Sequence, residues 1–258
     1  MESTILSGTV ASLLAGLCTG IGSFGVFFLR KLTPRLEDGM LSFAAGIMLA
    51  ASFFSLLLPA IEYGENYYGG KELAVTIVIV GLMSGAIVLH LIHRFLPHEH
   101  FFSGREGPDP GALSRIWLFV IAITLHNFPE GMAVGVGVAG SGIERGVPLA
   151  TGIAIQNIPE GLAVSVSLLA VGYSRPEAFW VGFLTGLAEP IGGLFGAVAV
   201  SVAGPLMPWT LAFAAGAMLF IISDEIIPET HRRGLESLAT FALMLGFASM
   251  MYLDATLG

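Results

Sequence analysis

Eight stretches of apolar residues, each close to the roughly 20 needed to cross a hydrocarbon core, dominate this chain. They run approximately over 5–29, 40–61, 73–96, 114–138, 147–170, 177–202, 209–228 and 235–254, and turns rich in Gly, Pro and charge separate them. Lipid offers no partner to an exposed N–H or C=O, so stretches of this length cross as helices. Of 258 residues 55% are hydrophobic and only 12% charged, against about 25% charged in a soluble domain. The sequence therefore predicts an all-α polytopic membrane protein, one transmembrane domain over 1–258, with a His-containing loop at about 97–113. The lone Cys18 excludes a disulfide framework and a Cys-based metal site. The first apolar stretch is too long for the hydrophobic region of a cleaved signal peptide and has no basic segment before it, so it reads as a retained helix.

With eight spans both termini share one side. One set of loops holds Arg30, Lys31, Arg35, Arg94, Arg105, Arg115, Arg175, Arg232 and Arg233; the other holds only Lys71 and Arg145. Short loops retained in the cytoplasm collect Lys and Arg. The expected location is a plasma (bacterial inner) membrane, with the basic face and the His-containing loop cytoplasmic and both termini outside.

The chain also resembles itself at an offset of 170 residues. FAAGIML at 43–49 matches FAAGAML at 213–219, and Gly16-Leu17 and Ile21-Gly22 fall on Gly186-Leu187 and Ile191-Gly192. Spans one to three and six to eight read as two copies five helices apart, hence oppositely oriented, with spans four and five between them. In transporters with this organisation the binding site lies at the midplane, where helices are interrupted by Pro or Gly.

Spans four and five carry HNFPEG at 126–131 and QNIPEG at 156–161. A charged side chain at membrane depth costs at least about 2.5–3.5 kcal/mol, so such residues face a partner, a cavity or an ion. On a helix Glu130 lies one turn from both His126 and Asn127, and Glu160 repeats this with Gln156 and Asn157. Each carboxylate can thus touch two sites, an arrangement suited to a binuclear divalent-metal centre, with imidazole and carboxylate fitting zinc, related first-row ions or cadmium. Pro129 and Pro159 free the carbonyls of Leu125 and Ile155, and Gly131 and Gly161 permit close helix approach.

Glu189 in AEPIGG is a third central carboxylate, and three carboxylates against two divalent ions leave roughly one positive charge. Met48 is either a thioether ligand or a packing residue. Asp224, Glu225, Glu229 and His231 lie toward the cytoplasmic mouth as exit residues, with Asp224 and Glu225 the deeper pair. Glu62 and Asp254, at the outer ends of spans two and eight, either draw cations in or are simply solvated. His90, His93, His98 and His100 form a tract that is either a weak metal chelator or an incidental feature of a polar loop.

These residues resemble the ZIP (Zrt-, Irt-like) divalent-metal transporters, particularly the bacterial GufA-type branch. HNFPEG, QNIPEG, AEPIGG and the DEIIPETHR ending of span seven carry the resemblance, which extends over all eight spans. It implies uptake of zinc, and often cadmium, iron or manganese, into the cytoplasm through a 3+2+3 helix arrangement, in a homodimer, with elevator-like sliding of one helix group against the other. It implies a first metal site of His126, Glu130, Gln156, Glu160 and Met48, and a second of Asn127, Glu130, Asn157, Glu160 and Glu189. Many relatives have His at Gln156 and some have Asp at Asn157, so this chain replaces strong ligands with amides. The donor set also admits cobalt. No partner beyond divalent metal ions, the lipid bilayer and a second copy is implied, and no nucleic acid. A metal-gated channel or sensor, and an intramembrane metalloprotease, are the competing functions; the protease reading lacks the HExxH spacing that such zinc enzymes use.

Overall fold

The computed structural model describes residues 2–29, 31–95, 98–100, 104–106, 115–170, 172–202 and 204–257, with the backbone alone at 98–100, 104–106, 115–119 and 122. In chain order the helices are α1 (Glu2–Phe24), α2 (Pro34–Ala51), α3 (Leu58–Tyr68), α4 (Lys71–Phe95), α5 (Arg115–Ser141), α6 (Ile143–Ala170), α7 (Arg175–Thr185), α8 (Ala188–Val202), α9 (Met207–Ile221), α10 (Ile227–Thr230) and α11 (Glu236–Leu257). Seven helical stretches, Glu2–Phe27, Pro34–Tyr68, Lys71–Phe95, Ile143–Ala170, Arg175–Val202, Gly204–Thr230 and Glu236–Leu257, are long and apolar enough to cross a membrane. The remaining span of the sequence corresponds to α5, 27 residues long. The fold is that of a multi-pass helical membrane protein.

Within the expected His-containing loop, two short strands, β1 (His98–His100) and β2 (Gly104–Glu106), pair antiparallel with His98 opposite Glu106. The rest of that loop lies outside the described residues.

The second span runs longer than its apolar core. Thr33 caps it by accepting a 3.3 Å hydrogen bond from the Leu36 amide, Pro34 opens it, and it continues without a break into α3 at Tyr68. Between α2 and α3 the helix widens into a π turn, Ser52–Leu57, and the same turn recurs at Ile222–Ile226 between α9 and α10. The two π turns start 170 residues apart, the offset of the FAAG repeat. A π turn spreads the backbone over more residues per turn, shifting the phase of every side chain beyond it. The sixth span divides into α7 and α8 at Gly186-Leu187. Pro190 has no N–H for the Gly186 carbonyl and its ring excludes that carbonyl from the helical position. Glu177 starts α7 by accepting hydrogen bonds from the Ser174 amide at 2.9 Å and the Ser174 hydroxyl at 2.7 Å.

Helix packing follows the glycines. A methyl group on Gly46 of α2 would overlap the Leu243 carbonyl of α11, and one on Gly246 of α11 would overlap the Phe43 carbonyl of α2. The same reciprocal pair joins Gly216 of α9 to Leu82 of α4 and Gly85 of α4 to Phe213 of α9. Phe43 and Gly46 are the 170-residue counterparts of Phe213 and Gly216. A second set binds α1 to α6 and α8 to α5. Gly22 abuts the Ile158 carbonyl and Gly161 the Thr19 carbonyl, while Gly192 abuts the Phe128 carbonyl and Gly131 the Glu189 carbonyl. Gly16 and Gly186 each face the other's carbonyl. Without side chains between them, these backbones reach a separation at which van der Waals packing, the main cohesive force between helices in lipid, is strongest. The buried apolar side chains, among them Ile47, Met48, Leu149, Ile153, Leu211, Met218 and Met250, fill the middle of the bundle.

Because backbone cannot yield to an added methyl, Gly46→Ala and Gly216→Ala should each destabilise the protein by about 1–3 kcal/mol, read as lower melting temperatures in detergent. Gly39, which faces open space, serves as the control; a Gly46→Ala protein melting with Gly39→Ala would refute the close-packing account.

Candidate metal centre

The middle of α5 and α6 places polar side chains at full burial inside the apolar bundle. His126, Asn127 and Glu130 of α5 and Gln156, Asn157 and Glu160 of α6 are all buried, as is Glu189 in the first turn of α8. Pro129 and Pro159 lie inside these helices without ending them.

Four of these residues form a continuous chain of contacts. The Gln156 amide nitrogen donates to Glu130 Oε2 at 2.6 Å and to Asn157 Oδ1 at 2.9 Å. Asn157 Nδ2 in turn donates to Glu189 Oε1 at 2.7 Å and to the Ala15 carbonyl of α1 at 2.9 Å. The Glu189 backbone is held separately, its carbonyl accepting from the Ser12 hydroxyl at 2.7 Å. Glu130 Oε1, Gln156 Oε1, Glu160 Oε2, Glu189 Oε2 and both Asn127 amide atoms are buried with no hydrogen-bond partner among the described residues. A buried polar atom left unmatched costs about 1–3 kcal/mol. Five unmatched oxygens in one apolar bundle amount to a pre-formed oxygen-rich environment for a cation.

His126 turns toward a different group. Its Nε2 lies 2.8 Å from Glu225 Oε2, and the other carboxylate oxygen of Glu225 lies 3.3 Å from His93 Nδ1. The two imidazoles have centroids 6.2 Å apart, and one ligand atom from each of His93, His126 and Glu225 falls within 4.8 Å of the others. All three are buried. Two imidazole nitrogens and a carboxylate oxygen match the ligand preferences of zinc. Glu160 stands close enough to His126 and Glu225 to interact with both electrostatically, and Glu130 likewise with Glu160 and Glu189. The two parts are thus neighbours, with Glu160 between them.

The structure sorts the remaining sequence-derived candidates. His126 meets Glu225 and His93, whereas Gln156, at the matching position of the second motif, meets Glu130 and Asn157. Met48 is fully buried in the apolar cluster of the bundle. Asp224 and Glu225, read as a deeper pair, separate: Glu225 is buried against His126, and Asp224 is exposed. They are consecutive in the π turn and point to different sides of the helix. Glu229 is buried and interacts electrostatically with His126. His231 is half-buried and tied locally, with Nδ1 2.9 Å from the Ile227 carbonyl and Nε2 3.3 Å from the Thr240 hydroxyl. Glu62 is exposed, 3.9 Å from Arg145. Asp254 accepts a 2.6 Å hydrogen bond from Ser55 in the first π turn.

Sequence reasoning missed His93 as a member of this group, because it was counted with the loop histidines. Its signal was present: His93 belongs to the last turn of α4, before the loop begins. His90, one turn earlier, is exposed, and His98 and His100 have no described side chains.

Metal binding should depend on Glu225 and not on its neighbour. Glu225→Ala is expected to weaken zinc binding measured by equilibrium dialysis by about 10–100-fold, the range seen when a ligand's support is removed, and Asp224→Asn to leave it unchanged. Equal effects of the two substitutions would contradict the geometry.

Known proteins resemble this chain along most of its length. Residues 103–254, more than half of the chain, match the family model described as ZIP Zinc transporter. The chain is 44% identical over 254 residues to the zinc transporter GufA of Myxococcus xanthus, covering 98% of this chain and 99% of the relative. It is 46% identical over 240 residues to the zinc transporter ZIPB of Bordetella bronchiseptica, covering 93% and 78%, and 36% identical to the zinc transporter ZIP11 of Homo sapiens, covering 100% and 99%. Buried imidazole and carboxylate at membrane depth, helices long enough to span, and this likeness along the whole chain establish that the protein belongs to the ZIP family.

Proposed function

We propose that the protein carries zinc and related divalent ions across a bacterial inner membrane into the cytoplasm, with the centre between α5 and α6 as the place where the ion is held. The observation that carries this reading is the buried group of His93, His126 and Glu225, adjoining the Glu130–Gln156–Asn157–Glu189 chain inside helices of spanning length. The metal is the cargo. Two sites are assigned: His126, Glu130, Gln156, Glu160 and Met48 to one, and Asn127, Glu130, Asn157, Glu160 and Glu189 to the other. The unmatched oxygens of Glu130, Gln156, Glu160 and Glu189 support both assignments. Cadmium, iron, manganese and cobalt are further candidates, since affinity order alone does not select among ions that share these donors.

The helices are read as a 3+2+3 arrangement of inverted repeats. Its support is the exchange of contacts: α2 packs on α11 as α9 packs on α4, through glycine–carbonyl pairs offset by 170 residues between α2 and α9 and by 161 between α4 and α11, and α1 packs on α6 as α8 packs on α5, through pairs offset by 170 between α1 and α8 and by 30 between α5 and α6. These backbone contacts join α1, α5, α6 and α8 to one another, and separately join α2 to α11 and α4 to α9. Between the first set and the other two pairs, the glycines at the boundary meet side chains. Gly140 faces the methyl end of Met207, and Gly152 faces the thioether of Met250. Flexible, polarizable methionines adapt to changed surroundings, which suits sliding of one group past the other. Orientation rests on the loop charges: the basic face is cytoplasmic, and both termini lie outside.

After binding, the ion passes from the centre to Glu225 and Glu229, with Asp224 and His231 nearer the cytoplasm; Glu62 and Asp254 stand at the outer mouth. A carboxylate or imidazole binds metal only when deprotonated, so protons compete with the cargo.

In liposomes the purified protein should give saturable zinc flux, and Glu130→Ala or Glu160→Ala should reduce it at least about tenfold. Undiminished flux in both variants would overturn the assignment, and unsaturable flux would indicate a channel. Lowering the pH from about 7.5 to about 5.5 should raise the KM for zinc, because protonated donors release metal; a KM independent of pH would contradict competition at these groups.

A further inference from the structure

The centre is built from two motifs that correspond position by position, yet its third carboxylate has no carboxylate counterpart. Glu189 of α8 falls, at the 170-residue offset, on Thr19 of α1. The correspondence holds in the packing as well as in the sequence: the Glu189 carbonyl abuts Gly131 of α5, and the Thr19 carbonyl abuts Gly161 of α6. Gly131 and Gly161 are the last residues of the two metal-centre motifs, so Thr19 and Glu189 flank the centre from opposite helices.

Thr19 is fully buried and its hydroxyl makes no hydrogen bond of good geometry among the described residues. The hydroxyl lies beside the Glu189 carboxylate. Glu189 Oε1 is already taken by Asn157 Nδ2, whereas Oε2 is unmatched. In the corresponding half, Asn127, the counterpart of Asn157, is fully buried with both amide atoms unmatched. One half therefore presents a formed Asn157–Glu189 pair and the other an unmatched Asn127 amide, while the Thr19 hydroxyl reaches toward Glu189. The other polar residues of this α1 face are committed elsewhere: Ser12 to the Glu189 carbonyl and Ser23 to the Thr19 and Gly161 carbonyls.

We infer that Thr19 is a positioning residue of the transport centre, whose hydroxyl donates to Glu189 when the ion is bound and so fixes which carboxylate oxygen faces the metal. This rests on the metal centre proposed above. A hydroxyl suits the role where a second carboxylate would not. It orients Glu189 without adding a negative charge to a group that already holds Glu130, Glu160 and Glu189, so the ion stays weakly enough bound to leave.

The test is zinc flux in liposomes by Thr19→Val, Thr19→Ser and Glu189→Gln, each checked for an unchanged melting temperature. Thr19→Val keeps the shape and removes the hydroxyl. It should raise the KM for zinc about tenfold with the maximal rate within about twofold, and Thr19→Ser should restore the wild-type KM. The inference is overturned if Thr19→Val keeps the wild-type KM while Glu189→Gln does not, or if Thr19→Ser is impaired as much as Thr19→Val, which would make the position one of packing. If Glu189→Gln itself transports with an unchanged KM, the assignment of Glu189 to the centre falls, and the role of Thr19 with it.

Discussion

Everything in this protein answers to the cost of keeping carboxylates inside an apolar bundle. Glu130, Glu160, Glu189 and Glu225 are all buried within a few helices of one another. A carboxylate taken out of water loses several kcal/mol of solvation, which only close partners or a cation can offset. Among the described residues, two amides, Gln156 and Asn157, and two imidazoles, His93 and His126, stand against these carboxylates. A divalent cation would offset their remaining charge. Counting Glu225 with the three central carboxylates changes the electrostatics expected from the motifs alone. Four carboxylates would balance the two divalent ions of the proposed centre, where three would leave about one positive charge uncompensated.

Transport by the proposed sliding would need the geometry of the centre to be held while the surrounding protein moves. The glycine–carbonyl contacts serve the first need. They hold α5 to α8 and α6 to α1 at backbone distance, so the residues of both motifs and Glu189 sit on helices packed directly against one another. Methionine side chains at the boundary with α9 and α11 serve the second, since contacts made by flexible side chains can be remade after a displacement.

The centre is also unequal in its two halves. His126 reaches out to Glu225 and His93, while Gln156 at the matching position stays within the centre and bonds Glu130. Glu189 has only a hydroxyl opposite it. Both differences remove symmetry at the ligands while the packing keeps it. One half of the centre lies beside Glu225 and Glu229, and in the other Gln156 and Asn157 donate to the carboxylates.

Much of this was legible in the chain itself. Local hydropathy marks the spans because lipid forces each one to satisfy its own backbone, and the HNFPEG and QNIPEG motifs declare their chemistry because helical spacing alone puts Glu130 near His126 and Asn127. The repeat could be read because both copies retained FAAG. Other features depend on contacts between residues far apart in sequence, which no local pattern encodes. His93 joins His126 because α4 packs on α9, and of the neighbours Asp224 and Glu225 the packing of the helix against the bundle decides which one is buried. Thr19 gains its place opposite Glu189 from the packing of α1 on α6. The sequence by itself determined that carboxylates and imidazole would sit at membrane depth; the tertiary structure decided which of them meet, because neighbours across helices are chosen by how closely backbones pack.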